Sequence, residues 1–583
     1  MGARLSESAD DLPAVHLRVD GNFDCAQPMH FELQPIYPAK MFNLPIVQRV
    51  FKWSRVAYGM AWAIASTCHV YLMIFLSRST AMPFPRSSGI LLHPTSFPGR
   101  FGIGDLGDPA YEFIDFLAAA GQQLWQVLPL GPTGHGNSPY MCYSSMAGNA
   151  LLISLERLRD QELLTDDVLD SLPTFPDDFV DYDRVMAMKM PVLHQAARTF
   201  QTQATEEQQE AFDNFCASRN FWLDDYALFM ALKGAHDGAS WNQWDEALAK
   251  RDPATLQQWR TKLADEIFCH KFFQFEFFQQ WSALKTYAGD RGIQIIGDMP
   301  IYVAHDSADV WAMPDIFHLD PETGEPALMA GVPPDYFSET GQLWGNPIYN
   351  WEVMEERGFQ WWLHRLQALL DYVDLIRIDH FRGFSAYWQV EQGEETAING
   401  EWVDAPGEAF FKTVKEKLGS LPILAEDLGV ITPDVEELRD QFDFPGMKIL
   451  HFAFGSGPDN PYLPFNYVRN CVVYTGTHDN DTTVGWFEQL SEWERNYLEQ
   501  YLGGFSPDGI HWDMIRLALS SIANQAIFPL QDACGLGSDC RMNRPGIPEG
   551  NWEWRYRPDF LSTWLSDRLL RLTGTYGRTP PQG

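Results

Sequence analysis

Basic residues are scarce in this chain: 42 Lys and Arg stand against 78 Asp and Glu over 583 residues, a formal charge of −36. That balance repels phosphate backbones and anionic lipid surfaces, so nucleic acid is not an expected partner. Cysteine is sparse too. The eight, Cys25, Cys68, Cys142, Cys216, Cys269, Cys471, Cys534 and Cys540, are scattered with no CxxC pair, which excludes a disulfide framework and fits a reducing, cytoplasmic setting. No GxxxxGKS phosphate loop occurs, no GxGxxG follows a strand-like run, and no Cys and His cluster has metal-ligand spacing. The sequence therefore asks for no metal, nucleotide or other cofactor. What it has in plenty is aromatic surface, 14% of residues with 21 Trp, suited to stacking on the flat faces of neutral sugar rings as well as to filling a core.

The first 81 residues differ from the rest. They hold an uncharged apolar run from Val56 to Leu76, long enough to span a bilayer, preceded by Arg49, Lys52 and Arg55. The run either anchors the chain with its N-terminus in the cytoplasm or is translated from an upstream start, in which case Met82 is the natural beginning of the folded body (82–583). From Ser87 onward the pattern becomes strand, loop, helix, repeatedly, the rhythm of βα units around a parallel sheet. Charged amphipathic sequence from about 155 to 290 interrupts that rhythm and is expected to be a mainly helical insertion. The Gly-, Pro- and aromatic-rich stretch Pro326–Trp351 is expected to be a long functional loop.

Four apolar runs end in acids: GIQIIGDMP near Asp298, YVDLIRIDH at Asp379, LPILAEDLG at Glu426 and CVVYTGTHDN at Asp479. Runs rich in Ile, Val and Leu read as buried parallel strands, and in a closed parallel barrel all C-terminal strand ends open on one face. Any one such acid reads more readily as a helix N-cap. Four in succession do not, and after Glu426 the cap signals belong to Thr432 and Pro433. Several carboxylates on one face, without metal ligands, suit cleavage of a glycosidic bond.

The blocks RIDHFRGF (377–384), AEDLGVITPDV (425–435), TGTHDNDTT (475–483), GDMPIYVAHDSADVW (297–311) and GVPPDYFSETGQLWGNP (331–347) resemble the signature segments of the amylomaltases, or 4-α-glucanotransferases. LLHPTSFPGRFGIGDLG (91–107), GNSPY (136–140), RMNRPG and GNWEWR (541–555) extend the likeness from Ser87 to Tyr556. The resemblance implies a (β/α)₈ TIM barrel with helical insertions and no separate C-terminal β domain. It also implies transfer of an α-1,4-glucan segment from a maltooligosaccharide donor to glucose or another glucan. Asp379 matches the nucleophile, Glu426 the acid/base and Asp479 the third carboxylate, with Arg377 on the nucleophile's own strand face. His380, His478 and Asp298 match sugar contacts and Tyr140 a stacking platform. Tyr336 and Phe337, with Trp344 and Asn346, fall in the loop matched to acceptor binding. Met141 and Phe465 depart from the pattern, away from the acids.

The α-amylase-like group shares the three carboxylates, so hydrolysis is the competing chemistry. The 331–347 loop and the absence of a β-rich domain after GNWEWR favour transfer. A non-catalytic glucan-binding scaffold would have no use for an acid, a nucleophile and a stabiliser together.

Overall fold

The computed structural model describes residues 84–334 and 338–580. The extension 1–81 with its run 56–76, and Tyr336 and Phe337, lie outside the described residues. In chain order the strands are β1 (Ser87–Leu91), β2 (Leu124–Gln126), β3 (Gln294–Pro300), β4 (Leu328–Val332), β5 (Gln342–Pro347), β6 (Leu375–Asp379), β7 (Ala386–Glu391), β8 (Gly400–Asp404), β9 (Ile423–Ala425), β10 (Gly446–Ile449), β11 (Cys471–Tyr474) and β12 (Gln525–Pro529).

Eight of them form one parallel sheet in the order β10-β11-β12-β1-β2-β3-β6-β9. Its two edges meet where the Ala425 N–H donates to the Pro445 carbonyl at 2.9 Å, bringing β9 against the start of β10. This is a (β/α)₈ barrel with its helices outside. β1 carries Gly89 because a Cβ there would lie 2.2 Å from the Leu124 carbonyl oxygen of the neighbouring strand. Where β1 and β12 begin side by side, the buried Arg578 donates to the carbonyls of Ser87 and Ala523, each at 2.8 Å, tying the chain's last described turn to the start of β1.

The helix Ala264–Asp290 leads into β3. Its middle, Phe272–Phe278, is buried at every position because it is covered on both sides, by the helices Tyr182–Gln203, Glu206–Ser218 and Asn220–Ala235 on one and by the barrel on the other. Trp281 on this helix is fully buried and its Nε1 donates to the Tyr372 carbonyl at 2.6 Å, so Trp281→Ala is expected to cost about 3–5 kcal/mol. Of the added helices, Glu206–Ser218 starts on a reciprocal capping box between Thr205 and Gln208. Among the described residues no strand follows β12, and no helix is long and apolar enough to cross a membrane.

The remaining four strands make a small antiparallel sheet, β5-β4-β7-β8. Pro326–Trp351, expected as a loop, thus contributes two paired strands. Glycine permits the pairing rather than breaking it. Gly341 takes φ +68 at the turn into β5, where a Cβ would lie 2.3 Å from the Val332 carbonyl oxygen.

Candidate active site

The register of β3 against β6 sets Asp298 opposite Arg377 and Pro300 opposite Asp379. Arg377 and Asp298 are each 3% exposed. Arg377 Nη1 lies 2.6 and 2.7 Å from the two Asp298 oxygens and 2.9 Å from Asp379 Oδ1. Taking a guanidinium out of water is costly, and two carboxylates around Arg377 offset that cost further than one would. Burial pulls against the Arg377 charge, yet Asp298 and Asp379 hold its pKa well above the usual arginine value. Burial likewise raises the Asp298 carboxyl, with Arg377 opposing and Asp379 adding to the rise.

Glu426 follows β9 directly, one position past the Ile378–Ala425 pair, which brings it level with Asp379. Its N–H donates to the Ile378 carbonyl at 3.0 Å. Its Oε2 accepts from the His380 N–H at 2.6 Å and its Oε1 from the Leu428 N–H at 2.9 Å. His380 makes the first bond from the left-handed region, φ 55 and ψ 51, a conformation that costs a non-glycine residue roughly 1–2 kcal/mol. Desolvation, then the Asp379 charge, push the Glu426 carboxyl up to about 8, against the pull of Arg377 and the two amides. Thr432 and Pro433 do begin the next helix, Pro433–Gln441, but the Thr432 hydroxyl is taken by Arg382 Nη1 at 2.9 Å rather than by a helix amide.

Asp479 stands beyond β11 on an exposed turn and is held from behind. Asn543 Nδ2 donates to its Oδ1 at 2.6 Å and Arg541 Nη2 to its backbone carbonyl at 2.7 Å. His478 Nε2 lies 3.3 Å from Asp479 Oδ2 and 2.8 Å from the Tyr140 hydroxyl, which donates to Asp298 Oδ2 at 2.8 Å. The rings of Tyr140 and His478 stack 5.3 Å apart, and Trp552 packs 5.9 Å from each. A continuous polar chain thus runs from Asp479 through His478, Tyr140, Asp298 and Arg377 to Asp379.

These groups line an open cleft whose other wall is the antiparallel sheet, with Val332, Gln342, Trp344 and Trp402 facing in. Trp344 meets the His380 ring edge-on at 5.0 Å. Asn346 is buried with its amide donating to the Val303 carbonyl at 2.8 Å and 3.9 Å from Met141 Sδ, so it fixes the wall's backbone. Met141 lines the cleft, whereas Phe465 is exposed and stacks on Tyr501 at 6.2 Å. Sequence reasoning assigned no side chain to Asn543, Arg541 or Trp552. The signal was present in the family-like blocks RMNRPG and GNWEWR, but their contacts with Tyr140 and Asp479 exist only once the chain has folded back.

Carboxylates brought together at the ends of separate parallel strands, one kept protonated near neutrality and one paired with arginine, are equipped to break and remake a glycosidic bond. The family model described as 4-alpha-glucanotransferase, glycoside hydrolase family 77, matches residues 92–562. The chain belongs to the 4-α-glucanotransferase family. It is 60% identical over 495 residues to the 4-alpha-glucanotransferase of Synechocystis sp., covering 85% of this chain and 98% of that relative. With the Thermus thermophilus 4-alpha-glucanotransferase it shares 51% identity, covering 84% and 98% respectively. The fold superimposes on an amylomaltase from Streptococcus agalactiae, solved in complex with acarbose, with a TM-score of 0.83 at 40% identity over 85% of this chain and all of that one. As a 4-α-glucanotransferase the protein transfers segments of a glucan, and hydrolysis is not the favoured chemistry.

Proposed function

We propose that this 4-α-glucanotransferase takes a maltooligosaccharide or other α-1,4-glucan as donor and passes the cut segment to the 4-hydroxyl of glucose or a second glucan by double displacement at Asp379. The observation that carries this reading is the pairing of opposites on β6 and β9: Asp379 bound to Arg377 at 2.9 Å, beside a Glu426 carboxyl pushed up to about 8. In the first step an Asp379 oxygen attacks the anomeric carbon. The bond to the leaving O4 breaks with its electron pair, and that oxygen takes the Glu426 proton. In the second, the acceptor 4-hydroxyl gives its proton to Glu426 while its oxygen attacks the same carbon and releases Asp379. Two inversions retain the α configuration.

Asp479 and His478 grip the hydroxyls of the distorted sugar, His380 contacts the same unit and Tyr140 lies beneath it; Asp298, expected from the sequence to touch the sugar, is instead fully buried behind Arg377 and Tyr140 and orients those two. That the Streptococcus agalactiae amylomaltase was solved in complex with acarbose supports a sugar-like ligand for this chain. For transfer to outrun hydrolysis, a millimolar acceptor needs an advantage over water of about 10⁴ or more, about 5–6 kcal/mol, which binding and orientation supply. Trp344, with Tyr336 and Phe337 from the preceding segment, are the stacking residues for this task. Incubation with maltotriose alone tests the reading: glucose and a ladder of longer maltooligosaccharides form while total reducing ends stay constant. A steady rise in reducing ends would contradict it.

A further inference from the structure

Far from the acids in sequence, on the helical layer, three side chains of mixed chemistry converge. Glu266 and Cys269 are three residues apart on the helix Ala264–Asp290, which puts them on one face, and His194 meets them from the helix Tyr182–Gln203. One ligand atom from each lies within 4.8 Å of the other two. His194 and Glu266 are 72 residues apart, so no spacing pattern in the sequence shows the group.

The hydrogen bonding of His194 gives this cluster its meaning. Its Nδ1 lies 2.8 Å from the Met190 carbonyl, a group that only accepts, so Nδ1 carries the hydrogen. In the neutral tautomer Nε2 then presents a lone pair, and it faces Glu266 Oε2, another acceptor, at 3.0 Å. Two acceptors at that distance repel unless a proton or a metal ion lies between them. A proton engages two of the three groups; a metal ion engages all three, with the Cys269 sulfur, 4% exposed, at the third corner. An imidazole whose second nitrogen donates to a backbone carbonyl is the usual arrangement of a metal-ligating histidine. The Phe273 ring, edge-on to His194 at 5.1 Å, restrains its rotation.

We propose that His194 Nε2, a Glu266 carboxylate oxygen and Cys269 Sγ bind a zinc-type divalent cation that pins the helix Tyr182–Gln203 to the helix Ala264–Asp290. Bond lengths near 2.0–2.3 Å imply ligand-to-ligand edges of roughly 3.3–3.8 Å, so rotamer shifts of about 1 Å close the site. Glu266 is exposed and free to make its part of that shift. Sulfur and imidazole select zinc or cobalt over calcium and magnesium. One thiolate and one carboxylate neutralise the ion, the thiol proton is released to solvent, and water takes the fourth corner.

The test is a titration of the full chain, chelator-treated and held reduced by a phosphine, with Co²⁺ and then Zn²⁺. The expected result is a thiolate-to-cobalt charge-transfer band that saturates at one equivalent, is bleached by Zn²⁺, and disappears in Cys269→Ser. In Glu266→Gln, an exposed change that leaves folding intact, affinity falls by at least about tenfold. Zn²⁺ raises Tm in the wild type and not in Cys269→Ser, while both variants keep the wild-type rate on maltotriose. A missing band, a band that survives Cys269→Ser, or affinity unchanged in Glu266→Gln overturns the proposal and leaves the His194–Glu266 contact an ordinary ion pair.

Discussion

The rim of the parallel barrel and the antiparallel sheet β5-β4-β7-β8 wall the same cleft with opposite materials. On the rim, charged groups are fixed by neighbouring strands: Asp298 and Asp379 share one guanidinium, and Glu426 accepts two backbone N–H groups. On the sheet, Val332, Trp344 and Trp402 turn apolar and aromatic surface to the cleft beside the neutral amides of Gln342 and Asn346, with Trp402 38% exposed and Trp344 half-buried. Fixed charge suits a step in which fractions of an ångström decide the rate. Aromatic surface suits a partner that varies in length and arrives by stacking. We therefore propose that the rim carries the bond chemistry and the sheet the choice of acceptor.

Changes on the rim should therefore dominate. Asp379→Asn removes the attacking oxygen's charge and is expected to lower kcat on maltotriose by about 10⁴-fold or more, with KM little changed. Steady-state kinetics would show this, and a loss below tenfold would move the nucleophile elsewhere. Glu426→Gln is expected to cost about 10²–10⁴ on the same substrate, yet to spare the first step with glucosyl fluoride, whose leaving group needs no proton. An equal loss on both donors would deny Glu426 the acid's part.

On the sheet the effect should be one of partition. Trp344→Ala is expected to leave donor cleavage within about tenfold of wild type while the hydrolytic share, read as new reducing ends per bond cut, rises several-fold. If cleavage itself collapses, the division between the two walls is wrong.

The smallest effect is on stability. Folded Glu426 keeps its proton up to about 8, whereas its usual value is 4.5. Between those values the folded chain binds more protons than the unfolded one, so Glu426 lowers stability as pH rises through that window and has no such effect below it. The Tm of Glu426→Gln should therefore gain on the wild type from pH 4.5 to 8. A margin that stays flat across the window would mean the folded carboxyl titrates normally.

The barrel and its acids were legible because four of its eight strands are short apolar runs leading to a carboxylate, a pattern that survives without tertiary information. Arg377 was legible for a similar reason, as strand alternation places it on the face of Asp379. Its stronger partnership with Asp298 was not, since that depends on the β3–β6 register. The strands β4 and β5 were hidden by composition: Gly341 and Pro333 read as loop residues, while here a close backbone crossing requires the glycine. Asn543 and Trp552 were hidden by distance along the chain, as were the partners of His194.

The central claim is that Asp379 forms the covalent bond while Glu426 manages the proton. Glu426→Gln protein treated with glucosyl fluoride, quenched, digested and mapped by mass spectrometry tests it most directly. The expected result is a single glucosyl ester on the peptide carrying RIDHFRGF, at Asp379. A stable label on Asp298, Asp479 or any other residue would contradict it.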